Sequence, residues 1–527
     1  MLFFFASKTC ASDGTLSWAN SFSLDAGISE FSQSIAADRS GNIYLIVGQI
    51  NAGSSPYQFG TIKYSNVGVI LWTNIFYNTF GNRGSQYPVY PVIKVDGNND
   101  AIAAGSALGS GIGNDFITIK YSASGMTLWT NRFNGTNNTD DSLTALAVDA
   151  NNDVVVTGYS TGSLSGKDCL TIKYSTTGAP LWTNRFNGTA NSDDQANAIA
   201  TDGNNNVLVA GYSSVIGGGS GKDFLTIKYS AAGVALWTNL FNGITGTSDD
   251  KAVAIASDRN RNVYVTGVSS GSTATGGSGY DFLTIKYSEA GVALWTNRFN
   301  GSGNRDDQPK AIAMDGQNDV IVFGSTTPDP NTTGSSGYDF ATIKYSSAGV
   351  ALWTNRFNGS GNYADTARAL AVDGSNNVFV CGETYSTGNH FDFETIKYSS
   401  GGGLIWAKRY NALDKYDDSP FALTVDGGGN VWVTGYASLL TGLDIYTIEY
   451  SGPGVLLGIN YVGNQPAIFW PAAAGSNFVL QTVTNFASTN WITASNYIFV
   501  NNLSNIPPLV GIVITNVADG AAFFRLK

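Results

Sequence analysis

A block of five residues, Thr-Ile-Lys-Tyr-Ser, recurs along the chain at a nearly constant spacing and restricts the fold more than any other feature. Seven copies are identical, and an eighth has Glu in place of Lys. They begin at Thr61, Thr118, Thr171, Thr226, Thr284, Thr342, Thr395 and Thr447. Seven steps of about 55 residues separate the eight copies. A fixed period of this length predicts a repeat architecture in which each unit packs on its neighbours.

Two further motifs accompany this block in the repeats. A Gly stands four residues before a Trp in eight places, from Gly14 and Trp18 to Gly402 and Trp406. An apolar segment also ends eight times in Asp, which is followed four residues later by Asn or Asp. These residues are Asp38, Asp96, Asp149, Asp202, Asp258, Asp315, Asp373 and Asp426. The chain therefore contains eight copies of one unit.

Each unit reads as four short strands, which we label a to d. In one unit they lie at Ala196–Asp202, Val207–Tyr212, Asp223–Ser230 and Ala235–Phe241. Val, Ile, Thr and aromatic residues fill these segments, whereas Gly, Asn, Asp and Ser separate them. Four strands in a unit of this size are typical of a β-propeller blade, and the polar capping repeats of an open solenoid are not apparent. The sequence therefore predicts an all-β fold with an eight-bladed β-propeller of four-stranded blades.

Two segments carry a resemblance to a known family. Asp-Phe-Leu-Thr-Ile-Lys-Tyr-Ser at 223–230 and Ala-Ile-Ala-Thr-Asp-Gly-Asn-Asn-Asn-Val at 198–207 resemble the bacterial β-propeller repeat, often called the seven-bladed propeller repeat. The resemblance covers roughly residues 16–450, and the a–b hairpin is also similar to that of NHL repeats. It implies a secreted or cell-surface propeller without a defined chemistry. This chain has eight units rather than seven.

The distribution of strands predicts how the ring closes. By analogy with NHL repeats, strand a is innermost and strand d outermost. The eighth unit has strands a, b and c but no d strand after Ser451, whereas an unassigned strand, Leu16–Phe22, precedes the first unit. We expect Leu16–Phe22 to pair with Ile445–Tyr450 and complete the last blade. The predicted domains are an N-terminal extension at 1–15, the propeller at 16–452 and a small C-terminal β-sandwich-like module at 453–527.

The connections between strands predict which face carries function. The a–b and c–d connections are tight turns, whereas the b–c connections differ in length from blade to blade. The b–c and d–a connections lie on the same face of a propeller, which we call the loop face. Binding residues usually lie on variable loops that a rigid scaffold holds. The sequence therefore places the ligand on the loop face.

Pairs of adjacent Asp residues in the d–a loops are candidate metal ligands, because clustered oxygen ligands suit calcium. The candidate calcium residues are Asp140, Asp141, Asp193, Asp194, Asp249, Asp250, Asp306, Asp307, Asp417 and Asp418. The other units have Ser29 and Glu30, Tyr87 and Pro88, and Ala364 and Asp365 at these positions. We favour a different interpretation, in which each Asp caps a turn by accepting hydrogen bonds from backbone N–H groups.

The remaining repeated residues are interpreted as structural. The Lys of Thr-Ile-Lys-Tyr, for example Lys228, is expected to form an ion pair or to extend along the apolar surface. The repeated Trp residues are expected to pack blade against blade, with a carbohydrate platform as the alternative. Cys169 and Cys381 read as small packed residues, and with Cys10 they show no disulfide or metal spacing. His390 is the only histidine, so a histidine zinc cluster is excluded.

The composition restricts the partners. With 28 basic and 39 acidic residues, the formal net charge of −11 makes nucleic acid and anionic lipid poor partners. No apolar run reaches the length of a membrane-spanning helix. The low charge and the abundance of Asn, Ser, Thr and Gly are typical of an extracellular or cell-envelope protein, although no signal peptide is visible. A monomer is expected.

The favoured functional hypothesis is a non-enzymatic binding or scaffold protein with a glycan or protein ligand, because no nucleophile–base constellation is visible. Two alternatives stay open. The first is a carbohydrate-active enzyme, a glycosidase or lyase that uses loop carboxylates. The second is a quinoprotein-like oxidoreductase: eight-bladed quinoproteins share the Gly-to-Trp spacing of four, but their preceding Ala-x-Asp pattern is absent here. The C-terminal module is expected to serve in surface attachment or glycan binding.

Overall fold

The structure is a computed structural model that describes residues 14–452, apart from short loop segments, and the strand backbones between residues 458 and 526. Within 14–452 the segments left undescribed are 23–28, 51–56, 78–90, 110–112, 136–137, 163–165, 215–220, 244–248, 271–278, 329–336, 386–389, 413–415 and 440–441. Every regular element in the described residues is a β-strand. The predicted all-β class is confirmed.

Eight four-stranded antiparallel sheets form the blades of a propeller. The first four blades consist of β2 (Ser29–Ala37), β3 (Ile43–Ile50), β4 (Tyr57–Tyr64) and β5 (Ile70–Tyr77); β6 (Val92–Val95), β7 (Ala101–Leu108), β8 (Asn114–Tyr121) and β9 (Thr127–Phe133); β10 (Asp141–Val148), β11 (Val154–Thr161), β12 (Lys167–Tyr174) and β13 (Pro180–Phe186); and β14 (Asp194–Thr201), β15 (Val207–Ser214), β16 (Lys222–Tyr229) and β17 (Ala235–Phe241). In each blade the sheet order is a-b-c-d, as predicted.

The remaining four blades repeat this order. They consist of β18 (Lys251–Ser257), β19 (Val263–Ser270), β20 (Tyr280–Tyr287) and β21 (Ala293–Phe299); β22 (Gln308–Met314), β23 (Val320–Thr326), β24 (Asp339–Tyr345) and β25 (Ala351–Phe357); β26 (Asp365–Val372), β27 (Val378–Tyr385), β28 (Phe391–Tyr398) and β29 (Leu404–Tyr410); and β30 (Asp418–Val425), β31 (Val431–Leu439) and β32 (Gly442–Tyr450) with β1 (Leu16–Phe22).

Blade 8 is completed by the N-terminal strand. Its sheet order is β1-β32-β31-β30, so β1 pairs with β32 as the sequence predicted. The N–H of Ser451 donates to the carbonyl of Thr15 at 2.8 Å, and the N–H of Gly14 donates to the carbonyl of Ser451 at 2.9 Å. The Trp18 ring lies 5.1 Å from that of Trp432 in blade 8 and 6.0 Å from that of Tyr64 in blade 1. The eight-bladed ring is therefore closed as predicted.

The strands differ in burial according to their position in the blade. Consecutive a strands contact one another around the ring, including β30 with β2, so strand a is innermost as expected. Strand c is buried along nearly its whole length in β16, because neighbouring blades cover both of its faces. Strand d alternates between exposed and half-buried residues in β17, which is typical of an outer strand with one face in solvent.

The hydrophobic core is divided among the junctions between blades. At one junction Val155 and Cys169 of blade 3 pack with Val209, Leu225 and Ile227 of blade 4. Each buried aliphatic side chain of this kind contributes about 1.5–3 kcal/mol to stability. Cys169 is a free, buried cysteine, and so is Cys381, which confirms their interpretation as packed residues. Cys10 lies outside the described residues.

The C-terminal part forms two antiparallel sheets. One has the order β33-β34-β38-β37 and the other the order β36-β35-β39. The strands are β33 (Gly458–Val462), β34 (Gln465–Pro471), β35 (Leu480–Val483), β36 (Ile492–Thr493), β37 (Tyr497–Asn501), β38 (Leu509–Ile514) and β39 (Phe523–Leu526). Their arrangement as a β-sandwich stays a prediction, and so do the exact domain boundaries.

Candidate binding surface

The a–b and c–d turns lie opposite the loop face, and we call this side the turn face. The Asp that ends strand a stabilises the a–b turn on this face. In blade 4, Asp202 Oδ1 accepts hydrogen bonds from the N–H groups of Asn204 at 2.9 Å and Asn206 at 3.0 Å. Its Oδ2 lies 2.9 Å from Nζ of Lys228 on strand c. Burial alone would raise the pKa of Asp202, but Lys228, the Asn206 side chain and the Asn204 N–H hold that pKa below its usual value. The predicted turn role of this Asp and the ion pair of this Lys are both confirmed.

The same ion pair recurs around the ring. Its Nζ–Oδ2 distances are 3.6 Å for Lys63 and Asp38, 2.7 Å for Lys120 and Asp96, 2.7 Å for Lys173 and Asp149, 3.9 Å for Lys286 and Asp258, and 2.7 Å for Lys344 and Asp315. These side chains are at most 7% exposed. The turn-face lysines are therefore committed to the scaffold rather than free to bind a ligand.

The repeated Trp and Gly meet across the junctions between blades. Trp182 of blade 3 donates through Nε1 to the carbonyl of Ala231 in the c–d turn of blade 4, at 3.1 Å. Its ring covers Gly233 of that turn, which has a φ of +84°, and a Cβ at Gly233 would lie 2.6 Å from Trp182. The Asn184 side chain donates to the Gly233 carbonyl at 2.7 Å. Blade-to-blade packing of the Trp residues is thus confirmed.

On the loop face, the first Asp of most predicted pairs caps strand c of the preceding blade. Asp193 Oδ1 accepts a hydrogen bond from the N–H of Lys167 at 3.1 Å. Three further Asp residues repeat this contact at 3.0 Å: Asp140 accepts from Asn114, Asp306 from Tyr280, and Asp417 from Phe391. Asp249 differs, because its Oδ2 lies 2.6 Å from Nζ of Lys251.

The second Asp of each pair is buried and accepts a hydrogen bond from its own d–a loop. The Asp194 carboxylate, for example, accepts from the N–H of Gly188 at 2.5 Å. The corresponding bonds join Asp141 to Gly135 at 2.5 Å, Asp250 to Gly243 at 2.7 Å, Asp307 to Gly301 at 2.5 Å, Asp365 to Gly359 at 2.7 Å and Asp418 to Ala412 at 2.7 Å. Among the described residues there is no group of three or more His, Cys, Asp or Glu side chains that could hold a metal. Calcium at the adjacent pairs stays a prediction.

Sequence reasoning missed a second set of ion pairs near the loop face. An Asp at the start of strand c faces an Arg of strand d, as in Asp168 and Arg185, where Oδ2 and Nη1 lie 2.6 Å apart. The other pairs are Asp115 with Arg132, Asp281 with Arg298, Asp339 with Arg356 and Asp392 with Arg409. The signal was present in the sequence, because Arg recurs three residues after the repeated Trp.

Lysine and tyrosine side chains of blades 3 to 5 form a cluster on the loop face, which we call the lysine–tyrosine cluster. Lys167 Nζ lies 4.3 Å from the ring centre of Tyr159, and Lys222 Nζ lies 4.1 Å from that of Tyr212. Lys251 Nζ lies 6.0 Å from the Tyr212 ring. Burial, followed by the positive charge of Lys251, lowers the pKa of Lys222. The three lysines are half-buried, so their ammonium groups stay within reach of solvent.

A different cluster marks blades 7 and 8. Arg368 on strand a has Nη2 at 2.8 Å from Oε1 of Glu383, and its guanidinium lies 4.8 Å from the ring centre of Phe421. Ser419 donates to the other carboxylate oxygen of Glu383. The Phe421 and Tyr436 rings lie 5.7 Å apart. Arg368, Glu383 and Phe421 depart from the repeat, so this end of the inner strands is specific to these blades.

One buried carboxyl group also departs from the repeat. Glu394 on strand c is 6% exposed and stands where blades 3, 4 and 5 have a buried Leu. Burial, reinforced by the charge of Asp365, raises the pKa of Glu394 to about 8. Burial also raises the pKa of Asp365 to about 7, with Asp339 adding to the effect and the Gly359 N–H opposing it. Because both groups are removed from solvent, they belong to the junction of blades 6 and 7 rather than to an open cleft.

Comparison with known proteins supports the same architecture. Residues 181–218 match the family described as the beta-propeller repeat. Together with the eight four-stranded blades, this match confirms the resemblance inferred from the sequence: the chain is an eight-bladed β-propeller with repeats of this type. It is 26% identical over 327 residues to an uncharacterized WD repeat-containing protein, L264, of Acanthamoeba polyphaga mimivirus. That match covers 52% of this chain and only 22% of the length of that protein.

Among solved structures, the chain is similar to a Dyadobacter fermentans protein of unknown function, with a TM-score of 0.40, 9% identity, and coverage of 82% of this chain and 97% of that one. It is also similar to the periplasmic gluconolactonase PpgL of Pseudomonas aeruginosa, with a TM-score of 0.40, 10% identity, and coverage of 67% and 96%. In the described residues, no helix is long and apolar enough to span a membrane.

Proposed function

We propose that this protein is a non-enzymatic binding protein whose ligand docks on the loop face. The lysine–tyrosine cluster is the observation that carries the proposal, because its groups differ between blades and its three lysines stay partly exposed. The lysines of the turn face, in contrast, are buried in ion pairs that recur around the ring. Recognition on this protein is therefore assigned to groups outside the contacts that recur from blade to blade, although Lys251 pairs with Asp249.

The chemistry of the cluster favours an acidic glycan. Lys167, Lys222 and Lys251 bring three ammonium groups together on a chain whose formal net charge is −11, so this region attracts carboxylate or sulfate groups. The Tyr212 hydroxyl donates to Gln195 Oε1 at 3.1 Å, which places an amide beside the lysines. Amide and ammonium donors of this kind bind the hydroxyl and carboxylate groups of uronic acids.

A glycan array containing neutral, uronic-acid and sulfated oligosaccharides tests this proposal on the full chain. Acidic glycans are expected to bind, and their binding is expected to weaken as salt screens the lysines. The double variant Lys222→Ala and Lys251→Ala is expected to bind about tenfold more weakly. The control, Arg39→Ala with Arg259→Ala, removes two charges at exposed positions of a–b turns on the opposite face and should bind like wild type.

Four results would contradict the proposal. Binding of neutral and acidic glycans with equal strength, or equal weakening by the control Arg39→Ala with Arg259→Ala, would remove the role of the lysine–tyrosine cluster. Turnover of a bound glycan would favour the carbohydrate-active enzyme instead. Binding of an acidic peptide but of no glycan on the array would mean that the loop face binds a protein ligand instead.

We also propose that the protein works outside the cytoplasm or in the cell envelope. Its low content of charged residues, 13%, and its richness in Asn, Ser, Thr and Gly support this placement. Fractionation of cells that express the full-length gene product tests it. Recovery from the medium or the envelope fraction is expected, and recovery from the cytoplasm alone would contradict it.

A further inference from the structure

The arginines of strand d occupy equivalent sites lined by oxygen atoms. In blade 3, the Arg185 guanidinium lies 2.6 Å from the Asp168 carboxylate, 2.5 Å from Ser160 Oγ and 3.2 Å from the Ser160 carbonyl. In blade 5, Arg298 binds Asp281 at 2.9 Å, Ser269 Oγ at 2.7 Å and the carbonyl of Ser270 at 2.9 Å. The same set of oxygens therefore binds a cation in different blades.

Blade 4 keeps these oxygens but lacks the cation. Leu240 pairs with Leu225 in the register in which Arg185 pairs with Leu170, so Leu240 stands at the arginine position. Its side chain is 46% exposed and carries no charge. The equivalent oxygens belong to Ser213, Ser214 and Asp223, and Ser213 and Asp223 are buried.

The carboxylate left behind has no counter-ion. Asp223 is 4% exposed, and within the described part of the chain no hydrogen bond or ion pair reaches its carboxylate. Asp250 of blade 5 lies beside it, because the N–H of Asp250 donates to the carbonyl of Lys222 at 2.5 Å. Burial, reinforced by the charge of Asp250, raises the pKa of Asp223. Asp250 is fully buried, and its Oδ2 accepts from the N–H of Gly243. Its Oδ1, like that of Asp141, Asp365 and Asp418, is buried without a hydrogen-bond partner among the described residues. Two buried carboxylates that face each other without a cation are unfavourable.

The other blades without the arginine differ in this respect. In blade 1, Ile75 stands at the arginine position, and Gln58 replaces the aspartate, so no carboxylate is left over. In blade 8, Ser21 stands at the arginine position, and Asp444 is partly exposed, so water can solvate it. Of the blades that lack the arginine, blade 4 combines a buried aspartate with an apolar residue at the arginine position.

We propose that a calcium ion binds at the junction of blades 4 and 5, between Asp223 and Asp250, in the position that an arginine guanidinium takes in five other blades. A hard divalent cation matches two carboxylates, the Ser213 hydroxyl and the Ser214 carbonyl, because calcium accepts ligands of these three kinds with flexible geometry. The Ser214 hydroxyl itself donates to the carbonyl of Asp193 at 2.6 Å. This site joins two blades, unlike the adjacent Asp pairs of single d–a loops. It is independent of the glycan ligand proposed for the loop face.

A variant whose own side chain places a cation at this site gives a direct test. Wild-type protein is stripped with EDTA, dialysed against radioactive calcium, and melted with and without 1 mM calcium chloride. Leu240→Arg supplies the guanidinium that the arginine-containing blades have at this position. Leu240→Met changes the same position without adding charge. Wild type and Leu240→Met are expected to bind one calcium ion more per chain than Leu240→Arg. Calcium is expected to raise their melting temperature by about 2 °C, and that of Leu240→Arg by less.

Each result decides the proposal. Equal calcium stoichiometry in wild type and Leu240→Arg would overturn it, even if calcium bound elsewhere, and so would a wild type that binds no calcium. Asp223→Asn provides a second variant in case Leu240→Arg does not fold. It is expected to lose the same single ion, and retention of that ion would also overturn the proposal.

Discussion

The turn face and the loop face of the propeller are made by the same eight repeats, yet they use their polar groups differently. On the turn face, Asp202 and Lys228 form a buried pair that recurs in other blades, and Gly233 fits beneath a Trp of the preceding blade. On the loop face, the charged groups change from blade to blade: Lys222 and Lys251 in blades 4 and 5, and Arg368 in blade 7. Repeated contacts hold the ring together, and only groups outside those contacts are available for recognition.

The largest difference in stability between the two faces is expected for Lys228 and Lys251, which carry the same charge but differ in burial. Lys228→Ala should reduce the free energy of unfolding by about 3–5 kcal/mol, because it leaves Asp202 buried without its cation. Lys251→Ala, which removes a partly exposed ion pair on the loop face, should cost no more than about 1 kcal/mol. Urea denaturation of both variants measures the difference. Equal losses would show that the turn-face pair is not a structural requirement.

A smaller loss is expected at the Gly of the c–d turn. Gly233→Ala should destabilise the protein by about 2–3 kcal/mol, because φ is +84° and the new Cβ would lie 2.6 Å from the Trp182 ring. Gly203→Ala is the matched control on the same face, since nothing lies within 4 Å of a Cβ at that position. Thermal melting of both variants distinguishes them, and an unchanged Gly233→Ala would contradict the contact between blades.

The third prediction concerns the pH dependence of stability and the buried Glu394. The folded-state pKa of Glu394 is about 8 against an ordinary 4.5, so its penalty is absent at pH 4 and grows as the pH rises through 8. Asp365, raised to about 7, acts in the same direction. Glu394→Leu restores the residue of blades 3, 4 and 5, and should raise stability by about 1–2 kcal/mol at pH 8.

Denaturation of wild type and Glu394→Leu at pH 5 and pH 8 tests this prediction. The gain should be small at pH 5 and larger at pH 8. A gain of the same size at both pH values would mean that the effect comes from apolar burial alone. A loss of stability at pH 8 would mean that Glu394 is ionised and paired in the folded protein.

The smallest stability effects are expected among the loop-face aspartates. Asp193→Ala removes a cap on the N–H of Lys167 and should cost about 0.5–1.5 kcal/mol. Asp249→Ala, whose carboxylate pairs with Lys251 near the surface, should cost less than Asp193→Ala. Differential scanning calorimetry measures both. The reverse order would show that the Asp193 contact is not a structural cap.

The sequence by itself determined the number of blades, their four strands and the closure of the ring, because each follows from a period or from the count of strands along the chain. It also identified the Asp turn, the Lys of strand c and the packing Trp, since their repetition marks a shared structural role. The candidate binding surface was predicted only to the level of a face. The Asp–Arg pairs were overlooked although Arg185 and its equivalents recur in five of the eight blades.

Only the tertiary structure decided which side chains meet between blades. Trp182 covers Gly233, Lys222 approaches Lys251, and Asp223 faces Asp250, although 27 to 51 residues separate these partners in the chain. Alternation and turn residues report the local conformation of a strand, whereas these contacts depend on how one twisted sheet packs on the next. The loss of one arginine in blade 4 therefore looks like a neutral exchange in the sequence, and its consequence, an unpaired carboxylate beside a second one, exists only once the blades are in contact.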